Sequence, residues 1–189
     1  MGILFDSSTG LIPSQYYPEI DALINLLEAL PIGTSNVHIS YTKFAQNVYP
    51  EFDFSQYQTQ DDVVTQVVTR RSQYIGPANL TRALDHMTNT GFTGSGGTRS
   101  AARQIAVVFT QGNFDDFNSV QTSAEALKSS GVTLALVGIG TESSTNLTSL
   151  LGLASDPAFA FVIGESVNIS NDVLESLGSS VEFNICEFD

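Results

Sequence analysis

Two short polar loops hold the residues best placed to do chemistry. The apolar run Ile3-Leu4-Phe5 leads into Asp6-Ser7-Ser8-Thr9-Gly10, and Ile105-Ala106-Val107-Val108-Phe109 leads into Thr110-Gln111-Gly112. Both runs read as buried strands that end in small polar residues. In an open parallel sheet, ligands bind just beyond the carboxyl ends of such strands. Asp6, Ser8 and Gln111 are therefore candidate ligand-binding residues. A strand-end aspartate also begins an aspartyl-phosphate phosphatase site. That chemistry needs a second acid two residues on, where this chain has Ser8.

Other candidates are weaker. His38 sits between Val37 and Ile39 in a strand and reads as outward or locally satisfied; His86 follows Asp85 on a helix and reads as a surface residue. The two histidines do not have metal-ligand spacing. Gly94-Ser95-Gly96-Gly97 precedes a strand, whereas phosphate-binding loops follow a strand and open a helix. It reads as a connector. A Gly-x-Ser-x-Gly nucleophile elbow is absent, since position 93 is Thr. Asp115 and Asp116 read as helix-start acids, favoured by the positive end of the helix dipole.

The elements that must position these loops alternate along the chain. Ile20, Leu23, Ile24, Leu27 and Leu30 recur at helical spacing, so the pattern predicts an amphipathic helix over Pro13 to Leu30. Val37 to Phe44 and Val48 to Phe54 read as two strands of a hairpin, which makes one strand antiparallel to its neighbour. Thr59-Gln60-Asp61-Asp62 is a capping-box-like start for a helix that runs through Val63, Val64, Val67 and Val68. Leu80 to Met87 reads as a further helix. Ile105 to Phe109 and Val132 to Ile139 read as central strands buried on both faces. Helices are expected around Val120–Leu127, Leu147–Ala154 and Asp172–Val181, with a last strand at Ala158–Ile163. The alternation implies an α/β fold: a doubly wound, mostly parallel six-stranded sheet with one antiparallel edge strand and helices on both faces. No linker or repeat divides residues 1–189, so one domain is expected.

Composition narrows the partners. The 189 residues carry 20 acids against 7 bases, a formal net charge of −13. Nucleic acid is disfavoured, because neutralising phosphates takes clustered Lys and Arg, and the sole basic pair, Arg70-Arg71, reads as a solvated helix end. Charged residues make up 14% of the chain, below the usual quarter of a soluble domain. Its neutral, hydroxyl-rich surface favours secretion. Sequons at Asn79, Asn146 and Asn168 permit glycosylation. Cys186 is the lone cysteine, so no internal disulfide forms, and by itself it reads as a buried free thiol. No apolar run reaches the length of a membrane span. The start at Met1-Gly2, directly before a strand and without a signal peptide, reads as one module of a multidomain protein.

The ordered set of motifs resembles the von Willebrand factor A family over Ile3 to Cys186. Beyond the two loops it comprises Tyr41-Thr42-Lys43-Phe44, Phe52-Asp53-Phe54-Ser55-Gln56-Tyr57, Ala83-Leu84, Gly131-Val132-Thr133, Val137-Gly138-Ile139-Gly140 and Ala154-Ser155-Asp156-Pro157. The resemblance implies a metal-ion-dependent adhesion site. Such a site takes a carboxylate and two hydroxyls from the first loop, a Thr from a second and a carboxylate from a third. Asp6 and Ser8 match. Gly10 stands where the second hydroxyl belongs, Ala78 where the Thr belongs and Gln111 where the second carboxylate belongs. A hard dication prefers a cage of oxygens, so the remnant site at Asp6 and Ser8 is expected to need no cofactor, with Mg²⁺ or Mn²⁺ held at low affinity at most. Family members often bond a cysteine placed like Cys186 to one just before the first strand, a partner this chain lacks. The expected function is a non-enzymatic, secreted extracellular-matrix or adhesion module that binds a matrix protein, with collagen-like chains as the best guess. A metal-dependent adhesion receptor is the alternative.

Overall fold

The computed structural model describes residues 1–9, 13–94, 96–112, 114, 116–139 and 145–163. The expected closing helix over Asp172–Val181, Cys186, Asp115, the Gly10 position and the Asn168 sequon lie outside the described residues. Six strands form one sheet: β1 (Gly2–Asp6), β2 (Ser40–Phe44), β3 (Val48–Phe52), β4 (Ile105–Thr110), β5 (Thr133–Ile139) and β6 (Ala160–Ile163), in the order β3-β2-β1-β4-β5-β6. Every neighbouring pair is parallel except β2 and β3, so the antiparallel strand lies at an edge.

β1 and β4 can lie inside the sheet because their apolar runs are unbroken. All five residues of β1 and all six of β4 are buried. Side chains of a strand alternate between faces, and the two halves of each run feed separate cores. Ile3, Phe5, Val107 and Phe109 face α1 (Pro13–Ala29) and α2 (Gln60–Thr69). Leu4, Ala106 and Val108 face α3 (Leu80–His86), α4 (Phe117–Ser129) and α5 (Thr145–Leu151). A sheet covered on both sides can present function only at its ends.

Boundaries moved at particular residues. Strand pairing of β2 begins at Ser40, three residues later than the apolar alternation; Val37 instead bridges Ile32 in an isolated pair. α2 is capped as its sequence suggested: the Thr59 side chain accepts from the Asp62 amide, and its hydroxyl donates to Asp62 Oδ2 at 2.7 Å. The helix at Leu80 runs on past its expected end at Met87 through a π-helical turn, Met87–Gly91. Asp156 caps a 3-10 turn, Pro157–Phe159, that displaces the start of β6 to Ala160. Two histidine expectations fare differently. His38 lies just before β2 and is only half satisfied: Nε2 is 3.0 Å from Thr34 O, while Nδ1 is buried without a partner among the described residues. His86 is half-buried rather than at the surface, and burial holds its pKa below 6.5.

Leu4 sits fully buried in the middle of the sheet. Leu4→Ala is expected to lower the unfolding free energy by about 2–5 kcal/mol through lost transfer energy and a residual cavity. Urea denaturation would measure it, and a loss under about 1 kcal/mol would contradict this two-sided packing.

Candidate functional site

The chain lays down β1, then β2 and β3 to one side, and returns to place β4 on the other side of β1. The strand order therefore reverses between β1 and β4. Such a switch point leaves a crevice at the carboxyl ends of its two strands, where ligands bind in open α/β sheets. Asp6 ends β1 and Thr110 ends β4, and they meet across this point: Thr110 Oγ1 donates to Asp6 Oδ2 at 3.2 Å. The other carboxylate oxygen, Oδ1, accepts the Ser8 amide at 3.0 Å. Thr110 Oγ1 in turn accepts the Gly112 amide at 3.2 Å, a turn that Gly112 makes with φ of +76°. Asp6 and Ser8 are buried, and Gln111 is half-buried beside them. Burial pushes the Asp6 carboxyl above its ordinary value, against the opposing pull of hydrogen bonds from Ser8, Thr110 and the Gln111 amide.

A third segment closes the site from the β2 side. Tyr74 N–H donates to Ser7 O at 2.9 Å and lies 3.0 Å from Ser7 Oγ. Gln73 Nε2 donates to Ser8 O at 3.1 Å, and Thr9 N–H donates to Gly76 O at 3.1 Å. Residues 73–76 thus run alongside residues 7–9. Ala78 follows, half-buried. At the far side, Asp116 is the helix-start acid its position suggested: it caps α4, accepting from Asn118 N–H and Ser119 Oγ. These bonds, the Ser119 hydroxyl first, hold its carboxyl below the ordinary range.

The donor set can be weighed against a divalent cation. It comprises one carboxylate, whose two oxygens already accept internal hydrogen bonds, the hydroxyls of Ser8 and Thr110, and the amide oxygen of Gln111. A magnesium or calcium site takes six or more oxygens and usually more than one carboxylate. Among the described residues, no group of three or more His, Cys, Asp and Glu side chains is placed to hold a metal ion.

Beneath these loops lies a polar network that the sequence analysis did not single out. Lys43 of β2 is 1% exposed. Its ammonium donates to Arg70 O at 2.5 Å and Ser72 O at 3.0 Å, and pairs with Glu51 at 3.0 Å. Glu51 also takes the Tyr74 hydroxyl at 3.0 Å and the Arg70 guanidinium at 3.4 Å. Arg70 is thereby a buttressed ion-pair residue rather than the solvated helix end expected of it. Tyr16 of α1 donates to Ser72 O at 3.3 Å. Glu19, one turn along α1, is 1% exposed, and neither carboxyl oxygen has a hydrogen-bond partner among the described residues. Burial, and after it the nearby Asp6 charge, push its pKa well above 4.5. Sequence signals existed: Ile39, Tyr41 and Lys43 share one strand face, and Glu19 falls on the apolar stripe of Tyr16, Ile20 and Leu23.

A doubly wound sheet whose strand order reverses beside two polar loops defines the general class: an open α/β domain of the kind that offers its strand ends to ligands. The chain belongs to the von Willebrand factor type A domain family, whose profile matches residues 1–175. It is 27% identical over 192 residues to the human collagen alpha-6(VI) chain, covering 98% of this chain and 8% of that one. It is 23% identical over 186 residues to human matrilin-1, covering 97% of this chain and 35% of the relative. This chain thus spans well under half the length of these relatives. Its fold is also similar to that of proximal thread matrix protein 1 from the mussel byssus, solved with a zinc-occupied MIDAS motif. The TM-score is 0.79 at 20% identity, over 95% of this chain and 47% of the other.

Two variants test the buried network. Lys43→Met leaves Glu51 and two carbonyls without their shared cation and is expected to cost about 3–5 kcal/mol. Hydrogen exchange at the Tyr74 and Thr9 amides should accelerate ahead of the central strands; uniform acceleration would deny Lys43 its hold on this segment. Glu19 carries the opposite sign. An acid with a raised folded-state pKa contributes fully below its unfolded value and loses that contribution as pH rises toward the folded value. Glu19→Gln should therefore melt higher than the parent by a margin that widens as pH rises above 4.5, read by thermal unfolding across that range. A margin independent of pH would mean Glu19 is not held neutral.

Proposed function

We propose that this domain is a non-enzymatic extracellular-matrix or adhesion module that binds another protein through the loops at the carboxyl ends of β1 and β4, with an impaired metal site. The observation that carries the reading is the state of Asp6. Both of its oxygens are satisfied inside the chain by the Ser8 amide and the Thr110 hydroxyl, and burial disfavours its charge. Gln111 and Ala78 withdraw a carboxylate and a hydroxyl from the same place. A cation arriving there would compete with these bonds for the carboxylate's lone pairs and would gain a single carboxylate in return. The loops hold no base, nucleophile elbow or phosphate loop to suggest catalysis.

Support for the matrix setting comes from the relatives, a collagen chain and a matrilin, and from the fold likeness to a byssal thread matrix protein. Collagen-like chains are the favoured partner and the extracellular matrix the favoured location. The domain is read as one module of a longer protein, where weak binding per copy gains strength from repetition.

A second reading keeps the metal. Asp6, Ser8 and Thr110 still converge at the switch point, and a similar fold holds zinc in its motif. In that case an acidic ligand completes the coordination of Mg²⁺ or Mn²⁺.

Calorimetric titration with Mg²⁺ and Mn²⁺ after chelator stripping separates the two, beside Asp6→Ala and with binding to immobilised collagen measured in chelator. The first reading expects no metal uptake and retained binding. Micromolar uptake that Asp6→Ala abolishes, with binding lost in chelator, would replace it with the second.

A further inference from the structure

The rim of this site carries large side chains exposed to solvent. Ile75 is 87% exposed and Tyr17 is 51% exposed. The Arg71 guanidinium lies 6.0 Å above the Tyr17 ring and pairs with no carboxylate among the described residues. That is unusual company for an arginine in a chain with 20 acids and 7 bases. Arg71 and Ile75 belong to the segment tied to Ser7, Ser8 and Thr9 from above and stapled from below by Lys43. Tyr17 stands beside it on α1, because its neighbour Tyr16 bonds Ser72 O. The apolar groups are therefore displayed on a held backbone, and a partner docking on them pays little for ordering them.

We propose that Tyr17, Arg71 and Ile75 form a docking surface for a peptide segment of a partner protein that carries a carboxylate beside a large apolar side chain. The inference rests on reading the domain as a protein-binding module and adds what that partner must present. A guanidinium reads a carboxylate through two parallel hydrogen bonds. Ile75 and the Tyr17 ring lose apolar surface to the partner's aliphatic or aromatic group. Tyrosine and arginine are the residue types on which binding energy concentrates. The net charge of −13 repels a densely acidic partner at range, so the fit is to a segment with an isolated acid.

The test is an array of short synthetic peptides on a neutral background, scanning one acidic and one aromatic or aliphatic position, probed with the whole chain in chelator. Capture should require both groups. It should fall about tenfold in Ile75→Ser and in Arg71→Gln, as for a truncated anchor, and be unchanged in Lys128→Gln on α4. Both sites are exposed, so thermal midpoints should match the parent. Capture indifferent to either peptide group, or equal in the parent and both variants, would overturn the surface. So would self-association in sedimentation that Ile75→Ser abolishes, since a second copy would then be the occupant. Loss of collagen binding in chelator with peptide capture intact would remove the metal-free reading above and leave this surface standing.

Discussion

Burial of the sheet on both faces is the constraint from which the rest follows. β1 and β4 expose nothing along their lengths, so neither face can carry a ligand. Only the strand ends remain, and the reversal of strand order between β1 and β4 opens one end into a crevice. Asp6 and Thr110 are brought together there because each is the last residue of its strand. Their hydrogen bond closes a gap of 104 residues.

That crevice rests on a charged foundation. Lys43, Glu51, Arg70 and Tyr74 form a compact network under the segment that borders Ser7 to Thr9. Interior ion pairs repay their desolvation only when the remaining hydrogen bonds are satisfied. Lys43 meets that condition with two carbonyls and a carboxylate, and its ammonium also lies 4.5 Å from the Tyr74 ring centroid. Tyr74 stacks on Tyr49 at 3.6 Å, which extends the support to β3. Glu19 does not meet it. Its carboxyl is buried with both oxygens unpartnered among the described residues, and burial pushes its pKa well above 4.5. One polar group thus anchors the site while another weakens the core beneath it.

The sheet and its helices were legible because their signals are local. An unbroken apolar run such as Ile105–Phe109 marks a strand buried on both faces, and the spacing of Leu23, Leu27 and Leu30 marks a helix with one buried stripe. Boundaries were less legible where a neighbour decided them. The strand at Val37 starts late because Val37 pairs with Ile32 instead of entering the sheet, and the helix at Leu80 runs on through a π-helical turn in which Gly91 packs directly against Met87.

For the site, the sequence by itself determined the cast: Asp6, Ser8 and Gln111 at strand ends, with Ala78 and Gln111 offering neither a hydroxyl nor a carboxylate. Residue identity is enough for that, since a methyl or an amide cannot become a carboxylate by folding. Only the tertiary structure decided what each residue is bonded to. That Thr110 occupies one oxygen of Asp6, that Lys43 holds up the loop beside it, that Glu19 has no hydrogen-bond partner among the described residues and that Ile75 points into water all depend on contacts between residues far apart in the chain. A periodicity read within one element can show which way a side chain faces. It carries no information about what the rest of the chain brings to meet it.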